Sequence, residues 1–405
     1  MSKLEELIEE LCPDGVEYIP IKDCIDKVQK IKWAATDGKK HQYIDLTSVD
    51  RDTHLITETQ VVDKDNAPSR AQQIVNEGDI LLGATRPMLK RYCMIEEDYD
   101  NQVCSTGFCV LRAKTNVVLR RWLYHQISST AFFEHVERFQ KGASYPAISD
   151  ADVKAYTIPV PPLPVQSEII RILDNFTELT AELTAELTAR KKQYENYREQ
   201  LITSSTNFIV KLSEIVDIYL GLTATPTYTD EGVTFISAQN TSSDYLDLSN
   251  VKYISRKDFE KATSNAKPRR GDVLFTRVGS NLGHPVIVET DEELCIFVSL
   301  GYLRVKDNEV VLNSFLKHWM NTDLFWSQVR KNVHGAAKVN LNTGWLKKFD
   351  IVLPSLEQQK KIVEILDKFG TLCNDISEGI PAEIEARQKQ YEYYRDKLLT
   401  FKQLS

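Results

Sequence analysis

The sequence predicts an α+β protein with a pseudo-twofold internal repeat, in which two repeated α/β domains are separated by two long antiparallel helices that form a coiled coil. Three observations predict this fold class. Matching residues recur at one fixed distance, short β-rich runs alternate with helical patterns, and two long segments carry apolar residues at three- and four-residue spacing.

The repeat has an offset of 193 residues. The stretch at residues 163–176 reappears at residues 356–369, with Leu, Gln, Ile, Asp and Phe at matching positions. The same offset aligns Gly-Asp-Ile-Leu at residues 78–81 with Gly-Asp-Val-Leu at residues 271–274. Matches at one distance over so much of the chain indicate two copies of one unit, each a globular part followed by a helical part.

Proline positions and periodicity predict four segments. The first domain spans residues 1–158 and begins with a helix at 2–11, and the second domain spans 207–351. The helical segments are 159–206 and 352–405. Prolines break the chain just before each helical segment. These prolines are Pro159, Pro161, Pro162, Pro164 and Pro354.

The first helical segment contains the tetrapeptide Thr-Ala-Glu-Leu twice in succession, at Thr180 to Leu183 and at Thr184 to Leu187. On a helix, each four-residue step adds about 6 Å of length and rotates the apolar stripe by about 40°. Such steps follow the ridge that packs against a partner helix. We therefore expect an antiparallel pair about 60 Å long, in which each tetrapeptide is one unit of rod length.

The second helical segment differs from the first in two ways. Residues 387–395 match residues 190–198 at an offset of 197, so the second copy holds one more four-residue step. Gly379 and Pro381 predict a kink or an interruption, because glycine favours helix ends and proline favours helix starts.

The composition predicts a globular protein of the cytoplasm. The start of the chain is acidic and amphipathic rather than a secretory signal, and no apolar run reaches the roughly 18 residues of a membrane helix. Seven cysteines without a Cys-x-x-Cys pair fit thiols in a reducing compartment better than disulfides or a zinc site. The net charge of -8 argues weakly against a general nucleic-acid binder.

Basic residues nevertheless crowd three stretches of this acidic chain. Each cluster could bind an acidic partner or form an ordinary solvated face, and the sequence leaves both open. The clusters are Lys27, Lys30, Lys32, Lys39 and Lys40; Arg86, Lys90 and Arg91; and Lys267, Arg269 and Arg270.

The order of globular and helical parts resembles the specificity (S) subunit of type I restriction-modification enzymes. The resemblance is carried by LPVQSEIIRILDNF beside LEQQKKIVEILDKF, and by ARKKQYENYREQLI beside ARQKQYEYYRDKLL. The tandem TAELTAEL is similar to the repeated units of the IC subfamily of these subunits. In that subfamily the number of units sets the spacing between the recognised half-sites.

The resemblance implies a non-catalytic subunit without a catalytic, cofactor or metal site of its own. Two target recognition domains would each read one half of a bipartite, asymmetric site in double-stranded DNA. The conserved helices would scaffold two methyltransferase (M) subunits, which use S-adenosylmethionine, and the restriction (R) subunits, which use ATP and Mg. No membrane association is implied. The sequence also lacks an Asn-Pro-Pro-Tyr methylation motif and a phosphate-binding loop.

Candidate DNA-binding residues are cationic, amide and aromatic side chains near loop glycines, because these groups suit phosphates and base edges. A purely structural role for each loop is the alternative. In the first domain they are Arg86, Lys90, Arg91, Lys141 and Tyr145; in the second they are Arg277, Ser280, Asn281, His334, Lys338 and Asn340.

Two further interpretations remain. His125 and His318 occupy matching repeat positions on helical patterns, and we interpret them as packing or capping residues rather than catalytic ones. The chain could instead be a coiled-coil adaptor whose two domains bind ligands other than DNA, which the acidic total charge favours slightly.

Overall fold

A computed structural model describes residues 2–36, 38–204, 208–263, 267–279, 281–332, 340–374 and 379–404. Contacts divide the chain into two compact units. Unit 1 comprises Met1–Leu183 and Ile384–Ser405, and unit 2 comprises Thr184–Glu383. Each unit therefore combines one globular part with helical residues from both repeats.

Unit 1 begins with a capped helix, because the Ser2 side chain accepts a hydrogen bond from the Glu5 backbone and the Glu5 carboxylate accepts one from the Ser2 backbone. Its helices before the long helix are α1 (Lys3–Leu11), α2 (Arg120–Ser128), α3 (Thr130–Phe139) and α4 (Asp150–Ala155). Its strands are β1 (Tyr18–Pro20), β2 (Ile25–Asp26), β3 (His41–Ile44), β4 (Gln60–Val62), β5 (Ala71–Val75), β6 (Ile80–Gly83), β7 (Tyr92–Met94), β8 (Gln102–Ser105), β9 (Phe108–Ala113) and β10 (Thr157–Pro159).

These strands form two four-stranded sheets and one antiparallel pair, β1 with β10. The antiparallel sheet β2-β9-β6-β7 is buried on both faces, so its inner strand β6 is a continuous apolar run. Ile80 and Leu82 face a core that includes Trp122, whereas Leu81 faces a second core that includes Phe108. The second sheet, β4-β3-β8-β5, joins β3 and β8 in parallel.

A single long helix, α5 (Leu163–Thr203), follows unit 1's globular part and continues into unit 2. It has 41 residues, which corresponds to about 60 Å. Both Thr-Ala-Glu-Leu units lie within it, and the Thr180 hydroxyl donates to the Phe176 carbonyl at 2.9 Å. Leu183 and Leu187 are half-buried. The boundary between the units falls between the two tetrapeptides.

Unit 2 repeats the architecture of unit 1. Its strands are β11 (Phe208–Lys211), β12 (Val216–Leu220), β13 (Tyr228–Thr229), β14 (Val233–Ile236), β15 (Lys252–Ile254), β16 (Val273–Thr276), β17 (Pro285–Ile287), β18 (Leu294–Ile296), β19 (Leu300–Val305) and β20 (Asp350–Leu353). Its helices are α6 (Leu212–Ile215), α7 (Arg256–Ala262), α8 (Asn313–Met320), α9 (Asp323–Asn332), α10 (Thr343–Leu346) and α11 (Leu356–Asn374). The sheet β12-β19-β16-β17 corresponds to β2-β9-β6-β7, and β14 pairs in parallel with β18 as β3 does with β8.

The last helix, α12 (Ile380–Leu398), begins directly after Gly379 and has Pro381 in its first turn. The predicted interruption is therefore present, and α11 and α12 are separate helices. In unit 1 the rings of Phe176 on α5 and Tyr394 on α12 stack with centroids 5.6 Å apart.

In unit 2 the equivalent aromatic residues pack α5 against α11. Tyr194 and Tyr197 lie over Phe369, with ring centroids 6.4 Å and 5.9 Å apart. These ring contacts pack α5 against α11 within unit 2.

A buried glutamine joins each helical segment to its globular part. The Gln166 amide donates to the carbonyls of Val117 and Pro161 at 3.1 Å and 2.8 Å, and its oxygen accepts from the Leu119 backbone at 2.9 Å. Gln359 makes the same three bonds 193 residues later, at 2.9 Å each. Both side chains are fully buried, so this junction is repeated bond for bond.

The predicted fold class, with its internal repeat and long helices, is confirmed. The boundaries 1–158, 159–206, 207–351 and 352–405 stay a prediction, since the compact units combine parts of both helical segments. All seven cysteines are buried thiols. Across the described residues, no helix combines the length and apolarity needed to cross a membrane.

Candidate nucleic-acid interface

Two loops of unit 1 that carry candidate residues are joined by backbone hydrogen bonds. We call them the Arg86 loop (residues 84–91) and the Tyr145 loop (residues 140–148). The Arg86 backbone N–H donates to the Pro146 carbonyl at 2.6 Å, and the Ile148 N–H donates to the Ala84 carbonyl at 2.9 Å. Candidates separated by more than 50 residues in sequence are thereby brought onto one surface.

The side chains of this surface are cationic and aromatic. The Arg86 guanidinium lies over the Tyr145 ring, 4.4 Å from its centroid, and the Tyr145 side chain is 71% exposed. The Lys90 ammonium lies 5.1 Å from the centroid of the Phe133 ring, and Lys141 is exposed. A cation held over a ring face keeps its N–H groups available to acceptors in solvent. This surface can therefore bind anions and flat aromatic groups.

The backbone of the Arg86 loop is strained. Arg86 and Lys90 have φ values of 48° and 52°, in the left-handed region that favours glycine. They flank a short turn at Pro87–Leu89. Non-glycine residues in this region persist where the surroundings enforce them, and they cluster at binding sites.

Arg91 differs from its neighbours because its guanidinium is engaged inside the fold. Its Nη1 donates to the carbonyls of Leu46 and Val49, both at 2.8 Å, and the residue is half-buried. The structure gives Arg91 an internal role, and a DNA contact by this residue stays a prediction.

Unit 2 joins the equivalent loops in the same way. An isolated bridge pairs Val278 with Asn340, which matches the bridge between Thr85 and Ala147 at the repeat offset. Asn340 is exposed. Of the other predicted site residues in this unit, Ser280, His334 and Lys338 lie outside the described residues.

The remaining two candidates of unit 2 point inward. Arg277 is 9% exposed and donates to the carbonyls of Val298 and Leu341 at 3.1 Å and 3.4 Å, and burial lowers the pKa of its guanidinium. The Asn281 amide donates to the carbonyls of Thr241 and Ser242 at 3.4 Å. Both side chains support the loop, and their predicted contact with DNA stays a prediction.

His125 and His318 have the predicted packing role. His125 is buried and contacts the Asp174 carboxylate and the Tyr391 hydroxyl, both at 3.1 Å, so it links α2 to α5 and α12 within unit 1. His318 contacts Asp367 at 2.8 Å. In the described stretches, no group of three or more His, Cys, Asp or Glu side chains could hold a metal ion.

The sequence matches the family described as Type I restriction modification DNA specificity domain over residues 3–190 and 206–386. The chain belongs to this family. Its two matched segments correspond to the two repeats, so the Arg86 and Tyr145 loops lie in the first and the Val278–Asn340 bridge lies in the second. Membership makes the chain a non-catalytic DNA-recognition component of a type I restriction-modification system.

Several relatives support the assignment to this specificity family. A chain from Haemophilus influenzae named as a type I restriction enzyme specificity subunit is 34% identical over 295 residues, which cover 69% of this chain and 72% of the relative. The EcoR124I/EcoR124II specificity subunit of Escherichia coli is 34% identical over 268 residues, which cover 63% of this chain and 65% of that subunit.

A solved structure has a similar fold over nearly the whole chain. It comes from work on complex assembly and conformational transition of the type I R-M system. Its chain is 23% identical, with a TM-score of 0.67 over 96% of this chain and 98% of its own length. At this identity the likeness concerns the fold alone.

Sequence reasoning missed the residues that support the candidate surface. Phe133 and Pro146 carry no charge. Phe133 lies under the Lys90 ammonium and the Pro146 carbonyl accepts from the Arg86 N–H, and both contacts join segments distant in sequence. Gln166 and Gln359 were visible as part of the repeated motif, because a polar residue retained at the same place in both copies signals a shared contact.

Proposed function

We propose that this chain is the DNA sequence-specificity subunit of a type I restriction-modification complex and that it recognises a bipartite, asymmetric site in double-stranded DNA. Each recognition domain reads one half-site. The observation that carries the proposal is the joined loop pair, which occurs at the same place in both units with different side chains. Two related surfaces of unlike chemistry suit two unlike half-sites.

The side chains of the unit 1 surface fit DNA. A guanidinium suits the O6 and N7 acceptors of guanine, and an exposed ammonium suits phosphate oxygens. Arg86 supplies the first group, and Lys90 and Lys141 supply the second. Tyr145 orients Arg86 and offers an exposed ring for apolar contact.

The unit 2 surface has a different set of groups. Gly279 occupies the position of Arg86 at the repeat offset, and its φ of 127° lies in the same left-handed half of backbone space. The exposed amide of Asn340 suits adenine, whose N6 and N7 present a donor and an acceptor. We keep Ser280, His334 and Lys338 as candidate DNA-binding residues.

The length of α5 sets the distance between the half-sites in this proposal. An added Thr-Ala-Glu-Leu unit rotates one end of a helix by about 40° relative to the other. One DNA base pair contributes a rotation of roughly 34 to 36°. The position of the tandem units at the boundary of the two compact units supports this role.

The helical segments scaffold two M subunits and the R subunits. Exposed aromatic side chains on these helices support a docking role, since aromatic residues are enriched at protein interfaces. Tyr393 on α12 is 63% exposed and Tyr197 on α5 is 43% exposed. Tyr197 also lines a shallow cavity of about 400 Å³ with Ala189, Lys192, Gln193, Asn196 and Gln200.

The chemistry of the complex belongs to these partners. S-adenosylmethionine would bind the M subunits, and ATP and Mg would bind the R subunits. Because chromosomal DNA is the substrate, we place the complex in the cytoplasm.

Genome-wide mapping of methylated adenines tests the function, in cells that express the chain with its M partner. We expect one split, asymmetric site.

Exchange of residues 16–158 for another family member's domain should change one half-site only. Insertion of Thr-Ala-Glu-Leu after Leu187 should lengthen the gap and leave both half-sites unchanged. A fixed gap, or altered half-sites after the insertion, would contradict the spacing role. Absence of specific DNA binding would favour the adaptor function instead.

A further inference from the structure

We propose that five lysines of unit 1 form a binding surface for the phosphate backbone of DNA, distinct from the loops that read bases. This lysine ledge consists of Lys27, Lys30, Lys32, Lys39 and Lys40, between strands β2 and β3. All five residues are exposed. The inference rests on the proposed function, because it assumes that DNA lies against unit 1.

Among the described residues, none of the five lysines of the ledge pairs with a carboxylate. The basic cluster of unit 2 is different, because Glu293 pairs with both Arg256 and Lys267, and Asp291 pairs with Arg270 at 3.0 Å. Unpaired exposed ammonium groups attract anionic groups such as phosphates. Ammonium groups that pair with a carboxylate contribute little to the electrostatic potential at the surface.

The equivalent segment of unit 2 carries the opposite charge. Residues 27–40 contain five lysines and one acidic residue, Asp37. The corresponding stretch between β12 and β14, residues 221–232, contains no lysine or arginine and two acidic residues, Asp230 and Glu231. Because the fold around the two segments is repeated, the positive charge is a property of unit 1 and not of the architecture.

A series of hydrogen bonds, one from a side chain and the others between backbone groups, links the ledge to the Arg86 loop. The Trp33 indole N–H, next to Lys32, donates to the Ala71 carbonyl at 2.8 Å. The carbonyl of the neighbouring residue, Arg70, accepts from the Thr106 N–H at 2.9 Å.

The next link reaches the Arg86 loop itself. The carbonyl of Gly107, which follows Thr106, accepts from the Ala84 N–H at 2.8 Å, two residues before Arg86. Arg70 and Thr106 are both exposed along this path. Hydrogen bonds thus connect the segment of the ledge to the Arg86 loop within unit 1.

The chemistry of the ledge favours phosphate over bases. Lysine presents a compact charge on a flexible stem, whereas arginine presents the fork that matches guanine, and the ledge contains no arginine. Contacts of this kind add affinity without adding sequence information. Unit 1 is therefore the electrostatic anchor of the complex, and unit 2 depends more on its base contacts.

The test measures the salt dependence of binding by the full chain assembled with its M subunits, on a duplex that contains the cognate site. Each phosphate contact contributes about 0.9 to the slope of log K against log salt concentration. Replacing all five lysines by glutamine should make the slope shallower by about 2 to 4 and weaken binding at least about tenfold at 0.1 M salt. Replacement of all five by arginine should retain the slope.

The matched control removes paired charges instead. The triple variant Arg256→Gln, Lys267→Gln and Arg270→Gln should change the slope by less than about 0.9, which is the contribution of one phosphate contact. The methylated sequence should be the same for every variant, and thermal unfolding should confirm that each one is folded.

The outcomes separate the two proposals. An unchanged slope in the folded five-glutamine variant overturns the ledge, and so does an altered recognition sequence. If the unmodified complex binds DNA but does not prefer a split site, the proposed half-site recognition is wrong. The comparison of slopes still tests whether the five lysines bind the phosphate backbone. If the unmodified complex does not bind DNA, both proposals are wrong.

Discussion

Replacement of Gln166 by alanine should destabilise unit 1 by about 3 kcal/mol. The side chain makes three buried hydrogen bonds, to Val117, Leu119 and Pro161, and a typical bond contributes about 1 kcal/mol net. For a unit of roughly 200 residues, each kcal/mol lowers the unfolding temperature by about 2 to 4 °C. We therefore expect a decrease of about 6 to 12 °C.

The assay combines thermal unfolding, followed by circular dichroism, with hydrogen exchange. Exchange at the Leu119 amide should accelerate, because that N–H donates to Gln166. Gln166→Glu should be at least as damaging, since a carboxylate cannot donate to the two carbonyls. Gln388→Ala, at an exposed position on α12, is the matched control and should change stability by less than about 0.5 kcal/mol. Wild-type stability and unchanged Leu119 exchange in Gln166→Ala would refute this account of the junction.

Three further predictions concern side-chain contacts within unit 1. Arg86→Gln should weaken binding to cognate DNA by about 1 to 3 kcal/mol with an unchanged unfolding temperature, whereas Arg91→Gln should lower the unfolding temperature by several degrees; binding titrations and melting curves distinguish them. Asp79→Ala should cost about 3 kcal/mol in urea unfolding, because it removes the carboxylate that pairs with Arg112 in the core. Hydrogen bonds from Arg171 and Lys3 lower the pKa of Glu168 to about 2. The stabilisation of α1 by this carboxylate should therefore be complete above its usual pKa and be lost as the pH falls toward 2. Hydrogen exchange of α1 should show this transition, and Glu168→Gln should abolish it.

Local and repeated features of the fold could be predicted from the sequence. The offset of 193 residues identified the duplication because the same contacts, such as those of Gln166 and Gln359, constrain both copies. The start of α12 after Gly379 followed from backbone preferences that act within a few residues. Such signals need no knowledge of distant segments.

The roles of individual loop residues could not be predicted in this way. Arg86 and Arg277 carry the same side chain in equivalent loops, yet Arg86 is exposed and Arg277 is buried against two carbonyls. The difference arises because the repeat offset places Arg277 at the position of Ala84, which faces inward. The assignment of helical residues to units was also hidden, since it depends on packing between segments far apart in sequence.

The mixed origin of each compact unit has a consequence for the ancestry of the chain. A fragment that ended with α5 would contain Phe176 without Tyr394, and Tyr197 without Phe369. Tyr197 stands where Tyr394 does in the repeat, so two such fragments could complete each other, each lending its tyrosine to the other's phenylalanine. A half-length precursor gene would then have produced a symmetric homodimer. Fusion of two such copies in tandem would remove the symmetry requirement and leave each half able to diverge toward its own ligand.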